Sequence, residues 1–181
     1  SFLSFKSLIL GANLNPNKYF AEMNNRINSI FQYSKNLDLM PVFCTITAPS
    51  KYHQTDKNRK LIYSPNDTAK ALTQIFNKFT NLQVFQRMKK ETNHGLIYFR
   101  VYEPHKSGVP HCHIMFFIPK NYVLEVKNKF FEYFTNAEKW GNNKKSLDFR
   151  YTFYNVNGAI AYIMKYVTKT FKNENDTTNK A

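Results

Sequence analysis

The segment 96–118 decides the fold of this chain, and its sequence is LIYFRVYEPHKSGVPHCHIMFFI. Two apolar runs, at 96–103 and 110–118, flank a connector rich in turn residues. This pattern is typical of a β-hairpin, in which successive side chains of each strand point to opposite faces. The segment therefore predicts two paired antiparallel strands.

Helical and extended patterns alternate on both sides of this hairpin. Apolar spacing predicts a helix over 16–37, a strand over 41–48 and a helix that begins near Ser64 or Asp67 and runs to about 89. After the hairpin, a helix is expected at 121–138, a strand at 147–154 and a last helix from Asn157-Gly158 to about Phe171. Few strands and one hairpin indicate an α+β fold, with a central, mainly antiparallel sheet and flanking helices.

Composition limits the classes of function that the chain can serve. Its 181 residues are 43% hydrophobic, which excludes disorder for most of the chain, and they predict a single domain over 1–172 with a frayed polar tail at 173–181. The net charge of +14 favours nucleic acid as the partner. No apolar run reaches the roughly 20 residues of a membrane helix, so we expect no membrane partner. Cys44 and Cys112 are predicted to be buried free thiols in a reducing compartment.

The hairpin carries a candidate metal site. Alternation places His111 and His113 on one face, and symmetric closure about Ser107 sets Glu103 opposite His111. A carboxylate and two imidazoles with open coordination positions suit a divalent metal, and Mn²⁺ or Mg²⁺ would suit a phosphate substrate. His105 in the connector is a competing ligand, and two surface histidines without a metal are the simpler interpretation.

The last predicted helix repeats Tyr-x-x-Lys, as Tyr162, Lys165, Tyr166 and Lys169. Helical spacing predicts that these four side chains lie opposite an apolar stripe that includes Ile163. A phenol is a poor nucleophile at neutral pH, but a neighbouring ammonium group favours the phenolate and binds phosphate. The helix therefore indicates nucleophilic attack on a phosphodiester.

Three segments together resemble the HUH endonuclease superfamily of rolling-circle replication initiators, relaxases and single-strand transposases. The segment 44–53 (CTITAPSKYH) is similar to its first motif, Glu103 through His113 to its metal motif, and Tyr162 through Lys169 to the nucleophile motif of the two-tyrosine branch. The paired tyrosines and the Pro-Ser-Lys-Tyr-His segment resemble gene-A-type initiators of bacteriophages.

The resemblance implies a ferredoxin-like or RRM-like core and a role for each matching residue. Glu103, His111 and His113 would bind the metal, Tyr162 and Tyr166 would be alternating nucleophiles, and Lys165 and Lys169 would position phosphate. The expected activity is metal-dependent nicking and joining of single-stranded DNA through a 5′-phosphotyrosine, which initiates and terminates rolling-circle replication of a phage or plasmid. The expected setting is the cytoplasm of a bacterial host, with origin DNA (a hairpin being a candidate element), a helicase and a polymerase as partners.

Two other functions remain open on the sequence. A two-tyrosine transposase of the insertion-sequence or Helitron type uses the same chemistry. A non-catalytic RRM-like module would instead stack bases on exposed aromatic side chains, here Tyr98, Phe99, Tyr102 and Phe116.

The polar segment 50–66 is a second candidate for DNA contact. We expect its basic residues to bind phosphates, and the alternative is a solvated loop with no ligand. The predicted DNA-binding residues are Lys51, His53, Lys57, Arg59 and Lys60. Thr45 and Thr47 share a strand face and are expected to pack beneath the site.

Overall fold

The computed structural model describes residues 16–104, 108–151 and 158–168. We number the strands and helices in chain order. The helices are α1 (Pro16–Asn36), α2 (Pro65–Thr80), α3 (Gln83–Thr92), α4 (Val123–Thr135) and α5 (residues 158–168), and the strands are β1 (Leu39–Ile46), β2 (Ile97–Pro104), β3 (Pro110–Pro119) and β4 (Asp148–Arg150). None of the helices in these ranges is both long and apolar enough to cross a membrane.

The four strands form one antiparallel sheet in the order β2-β3-β1-β4. The predicted hairpin is confirmed as β2 and β3, and the helices flank the sheet as expected for the α+β class. Because β1 joins the hairpin on the β3 side, β3 lies inside the sheet and β2 at its edge. This order brings the histidine-bearing strand next to a strand that lies more than 60 residues earlier in the chain.

Both faces of the sheet are buried, so the molecule has three layers. On one face, side chains from α2, α3 and α4 pack against alternate residues of β1 and β3, such as Cys44 and Ile114. On the other face, α1 and α5 cover Phe43, Met115 and Phe117. Cys44 and Cys112 are fully buried free thiols, as predicted. Sheets buried on both faces favour continuous apolar strands, which explains the long apolar run of β3.

The helix expected from 64 or 67 to about 89 is wrong as a single element, because the chain breaks it into α2 and α3. Ser64 caps α2, since its hydroxyl accepts from the backbone N–H of Asp67. At the break, Asn81 leaves helical geometry and Leu82 is extended. The turn lets the rings of Phe79 and Phe85 meet at 5.1 Å. Packing of both helices on one core therefore overrides the continuous helical pattern.

Further boundaries differ from the sequence prediction. The strand expected over 41–48 is Leu39–Ile46. A 3₁₀ turn at Lys120–Tyr122 precedes α4, which ends at Thr135 rather than 138. The strand expected over 147–154 is paired with β1 only at Asp148–Arg150, and most of the rest of that range lies outside the described residues. The predicted tail at 173–181 also lies outside them.

Candidate functional site

The hairpin register places Glu103 opposite His111 and Val101 opposite His113. This is the pairing that symmetric closure about Ser107 predicts. On the other side of β3, His113 lies opposite Thr45, which in turn pairs with Asp148 on β4. Directly paired residues of neighbouring strands point to the same face of a sheet. A polar row thus crosses the sheet on the face that α1 and α5 cover.

Glu103 pairs with His113, the histidine diagonal to it in the hairpin. Its Oε2 lies 2.7 Å from Nε2 of His113, and both side chains are largely buried. Because an ionised carboxylate only accepts hydrogen bonds, Nε2–H is the donor. The two histidine rings are 6.5 Å apart between centroids. No group of three His, Cys, Asp or Glu side chains within the described ranges is already gathered around one point.

The imidazole of His113 is fixed from several sides. Its Nδ1 lies 3.0 Å from the hydroxyl of Thr45. The ring of Phe43 stacks on it at 5.7 Å, and the ring of Tyr166 stacks at 3.8 Å. A partner at one ring nitrogen sets the orientation of the other, so these contacts hold Nε2 toward Glu103.

The two tyrosines of α5 face the sheet rather than the side opposite the buried stripe, which corrects the prediction from helical spacing. Both pack on Phe43, with centroid distances of 4.6 Å for Tyr162 and 5.5 Å for Tyr166. At 100° per residue, Tyr166 lies only about 60° around the helix from Ile163. The tyrosines therefore lie on the flank of the buried stripe, where Phe43 and His113 provide flat surfaces for their rings.

The two phenolic hydroxyls lie close enough to share one site. The hydroxyl of Tyr166 donates to that of Tyr162 over 3.3 Å. Burial raises the pKa of Tyr166 well above its ordinary value of 10.0; the hydrogen bond with Tyr162 and the charges of Tyr162 and Glu103 raise it further. Tyr166 is therefore a neutral phenol at physiological pH, and its proton must be removed as it attacks.

Of the two lysines of the Tyr-x-x-Lys repeat, which were predicted to position phosphate, the structure describes Lys165. Lys165 is exposed on the outer side of α5, and its Nζ lies 5.9 Å from the ring centroid of Tyr166. Lys169 and His105 lie outside the described residues.

A cation that the sequence prediction missed lies beside the tyrosines. Arg150 pairs with Phe43 across β4 and β1, and its Cζ lies 5.9 Å from the ring centroid of Tyr162. Its Nε donates to Asp148 Oδ2 over 2.7 Å. The alternating pattern of 147–154 gave a signal for a strand, but no local spacing links Arg150 to α5.

The predicted DNA-binding residues all lie in the segment between β1 and α2. Asp56 orders its tip by accepting from the backbone N–H groups of Asn58 and Lys60, and Arg59 takes left-handed geometry there. Lys51, His53, Lys57, Arg59 and Lys60 are all exposed. No carboxylate in the described part of the chain forms an ion pair with any of them.

This basic segment lies near the candidate site. A Cβ on Gly108, at the β3 end of the hairpin connector, would lie 3.3 Å from the Leu61 side chain. His53 ends a 3₁₀ turn (Ser50–His53), and its Nε2 lies 3.2 Å from the carbonyl oxygen of Ala48. His53 and His111 line one cleft. The structure thus brings the basic segment to the end of the hairpin that carries Glu103 and His111.

Comparison with known proteins gives the family. The profile of the bacteriophage replication gene A protein (GPA) family matches residues 3–174. The chain belongs to this family. The match spans every candidate residue described above, including Glu103, His113, Arg150 and both tyrosines of α5.

Individual relatives of the chain are distant in sequence. The chain is 28% identical over 167 residues to the replication protein of Haemophilus phage HP1 and 29% identical over 174 residues to the replication gene A protein of Escherichia phage P2. It is 27% identical over 174 residues to the probable replication protein P12 of Pseudoalteromonas phage PM2. The alignments cover 90%, 90% and 92% of this chain but only 20%, 22% and 26% of those proteins. No solved structure matches the chain.

Proposed function

We propose that this gene A family chain nicks and rejoins single-stranded DNA at a phage replication origin, through a covalent tyrosine intermediate. The observation that carries the proposal is the contact of Tyr166 with His113, which joins the candidate nucleophiles to the Glu103–His113 pair. These residues come from α5, β3 and β2. In this proposal the chain is an HUH-type endonuclease, as the resemblance of its motifs implies.

The reaction exchanges one phosphodiester bond for another. The phenolic oxygen of Tyr162 or Tyr166 attacks the scissile phosphorus and loses its proton. The bond from phosphorus to the 3′ oxygen breaks, and that oxygen takes up a proton to become a 3′-hydroxyl. The product is a 5′-phosphotyrosine that retains the bond free energy, so attack by a free 3′-hydroxyl reverses the step and rejoins DNA without ATP.

The hydroxyls of Tyr162 and Tyr166 lie 3.3 Å apart and so can serve one scissile phosphate in turn. In the proposed cycle, one tyrosine holds the 5′ end while a host polymerase, with a helicase, extends the 3′ end. The second tyrosine then cleaves the regenerated origin. The released 3′-hydroxyl attacks the first adduct and closes a circle. A second hydroxyl within reach is needed because the first is still esterified at that moment.

The residues of the hairpin fit a divalent metal in kind, since one carboxylate and two imidazoles share one sheet face. Glu103, His111 and His113 would hold Mn²⁺ or Mg²⁺, which would supply positive charge to a non-bridging phosphate oxygen. The proton between Nε2 of His113 and Glu103 must leave before that nitrogen can bind a cation. The contact of the Thr45 hydroxyl with Nδ1 of His113 keeps Nε2 directed at Glu103.

Charge in the surroundings matches a polyanionic substrate. Arg150 lies beside Tyr162, where it can bind the phosphate that the tyrosine attacks. The exposed cations of the segment 51–60 can contact phosphates further along the strand.

The fold does not favour the non-catalytic alternative, in which bases stack on the sheet. Phe116 is fully buried beneath the rings of Phe76 and Phe85. Tyr102 is held by a hydrogen bond of 2.6 Å to Thr73. Of the four rings named for this alternative, only Tyr98 is exposed. Since helices cover both faces of the sheet, the four rings do not form a continuous open stacking surface.

Covalent transfer of label tests the proposal. Single-stranded oligonucleotides spanning the phage's own origin, labelled on either side of the nick, are incubated with the protein and Mn²⁺. A label 3′ of the nick should remain on the protein after denaturation, and a label 5′ of it should not. Tyr162→Phe and Tyr166→Phe should each retain part of this activity, and the double variant should form no adduct. An adduct in the double variant would exclude these nucleophiles.

A further inference from the structure

A polar cleft opens beside His111, at the end of the sheet that carries the candidate site. Its volume is about 500 Å³, within the range of about 300–1,000 Å³ that is usual for small-molecule sites. Three separate parts of the chain line it. The lining includes Thr47, Ser50, His53, His111, Asn142 and Asn143.

The lining is rich in groups that recognise the edges of bases. It presents hydroxyls, carboxamides and imidazoles, and none of the described residues that line it is acidic. A carboxamide can donate to or accept from the edge of a base, and Ser or Thr hydroxyls can bond to any base. The described lining contains no Phe, Tyr or Trp ring, so a bound base would be held mainly by its edges.

The wall formed by Asn142 is fixed to the end of β1. The Thr47 carbonyl oxygen accepts from Nδ2 of Asn142 at 2.7 Å and from the indole Nε1 of Trp140 at 2.9 Å. The hydroxyl of Thr47 donates to the carbonyl oxygen of Ser146 at 3.0 Å. Asn142 is buried, with 6% of its surface exposed. Binding to such a preorganised wall costs little ordering entropy.

The cleft also has the right neighbours for a nucleic-acid strand. His111 belongs both to this lining and to the candidate metal ligands, so the cleft and the proposed reaction site share a wall. Lys51 and Lys145, each next to a lining residue in sequence, are exposed cations. A strand whose phosphate lies at His111 and His113 would carry its next nucleotide over this opening.

We propose that the cleft between the segment Thr47–His53 and the segment 141–146 binds one unstacked base of the single-stranded DNA beside the scissile phosphate. This inference rests on the proposed function for its placement along the strand. The sequence left the role of the Pro-Ser-Lys-Tyr-His segment open. In this proposal, Ser50 and His53 of that segment recognise the base. The carboxamides of Asn142 and Asn143 form the facing wall. One polar atom of each is already bonded within the protein, because Nδ2 of Asn142 donates to the Thr47 carbonyl oxygen and Oδ1 of Asn143 accepts from the backbone N–H of Lys145.

The single tryptophan of the chain gives a local probe of the cleft. The ¹⁵N indole resonance of Trp140 is unique, and its N–H shares an acceptor with Asn142. The four deoxynucleoside 5′-monophosphates are titrated in turn without metal, with deoxyribose 5-phosphate as the control ligand. We expect a saturable shift of this resonance, with one base bound at least about fivefold more tightly than the weakest.

Two variants test whether the base enters the cleft itself. Ser50→Phe fills the opening and His53→Ala removes a hydrogen-bonding group, and each should weaken nucleotide binding at least about tenfold. His94→Ala is the matched control, because His94 lies by Leu39 and Pro119 at the other end of the sheet. It should leave the titration unchanged. Backbone spectra establish that each variant is folded.

The proposal is overturned if no nucleotide shifts the resonance, if deoxyribose 5-phosphate shifts it equally, or if Ser50→Phe and His53→Ala both bind as the parent does. Because no metal or cleavage is involved, the outcome is independent of the adduct experiment. If an adduct forms but no nucleotide binds, the proposed base site is wrong and the proposed nicking activity stands. If nucleotides bind but no adduct forms, the proposed nicking activity is wrong and the base site stands.

Discussion

The ring of Tyr166 stacks on the imidazole of His113, with 3.8 Å between centroids and 30° between planes. His113 also pairs with Glu103, so one imidazole touches both the candidate nucleophile and the candidate carboxylate ligand. A shift of α5 relative to β3 would therefore move the phenol and disturb the imidazole together. The same contact gives a direct structural test.

Two substitutions of Tyr166 should separate the effect of its ring on His113 from the effect of its hydroxyl. Tyr166→Phe keeps the ring current over His113, whereas Tyr166→Leu removes it. We expect the imidazole carbon-bound proton resonances of His113 to stay close to their parent positions in the Phe variant and to move in the Leu variant. Proton NMR of the metal-free protein checks this. Equal spectra for the two variants would contradict the stack.

Thr45 should position His113 rather than act on DNA itself. Thr45→Val removes the hydroxyl 3.0 Å from Nδ1 while keeping a branched side chain of similar shape. Loss of such a supporting hydrogen bond costs about 10–100-fold in metal affinity or activity. Adduct formation across a Mn²⁺ titration should shift to higher metal concentration. Thr45→Ser keeps the hydroxyl and should restore most of the affinity; an unchanged titration for Thr45→Val would argue against this role.

Arg150 should contribute more to cleavage than to DNA affinity. Removal of one group that stabilises transition-state charge costs about 10²–10³-fold in rate. Because the Arg150 side chain is exposed to solvent, we expect a loss at the lower end of this range. Arg150→Ala is compared with Arg87→Ala, which removes an arginine paired with Glu125 elsewhere on the surface. Single-turnover rates and equilibrium binding are measured for both. Equal rates in the two variants would exclude Arg150 from the reaction.

The basic segment should set much of the salt dependence of binding. Each phosphate contact on single-stranded DNA contributes about 0.7 to the slope of log affinity against log salt. Replacing Lys57, Arg59 and Lys60 by Ala should therefore lower the slope by about 2. The control replaces Lys78, Lys89 and Lys90, which are exposed on α2 and α3, so that the net charge matches. Equal slopes would indicate that the segment is only solvated.

The buried thiols should destabilise the fold at high pH. Burial raises the pKa of Cys112 from 9.0 to about 12, with Arg100 partly opposing the shift. Because the folded pKa is the higher one, the unfolded state loses its proton first. The contribution of this thiol to the free energy of unfolding is therefore fully present below pH 9. It falls between pH 9 and 12, by at most about 1.4 kcal/mol per pH unit. Urea denaturation of Cys112→Ala across this range should show a shallower decline than the parent.

Local rules were sufficient for the hairpin, in which neighbours in sequence are neighbours in space. Alternation and a short turn placed Glu103 opposite His111, because strand period and hairpin closure involve few residues. Helical spacing located α5 but misjudged which way Tyr166 faces. The orientation of a helix depends on the surface that receives it, and here Phe43 and His113 provide it.

The sequence by itself determined the hairpin, its register and the α+β class, since these follow from periodicity and short-range geometry, and it predicted residue types suited to phosphodiester chemistry. Only the tertiary structure decided that Thr45 meets His113 across 68 residues of chain, that Arg150 lies beside Tyr162, and that Ser50 and His53 share a cleft with Asn142. The physical reason is that burial of apolar surface brings such distant residues together, and it depends on the total area covered rather than on any local pattern.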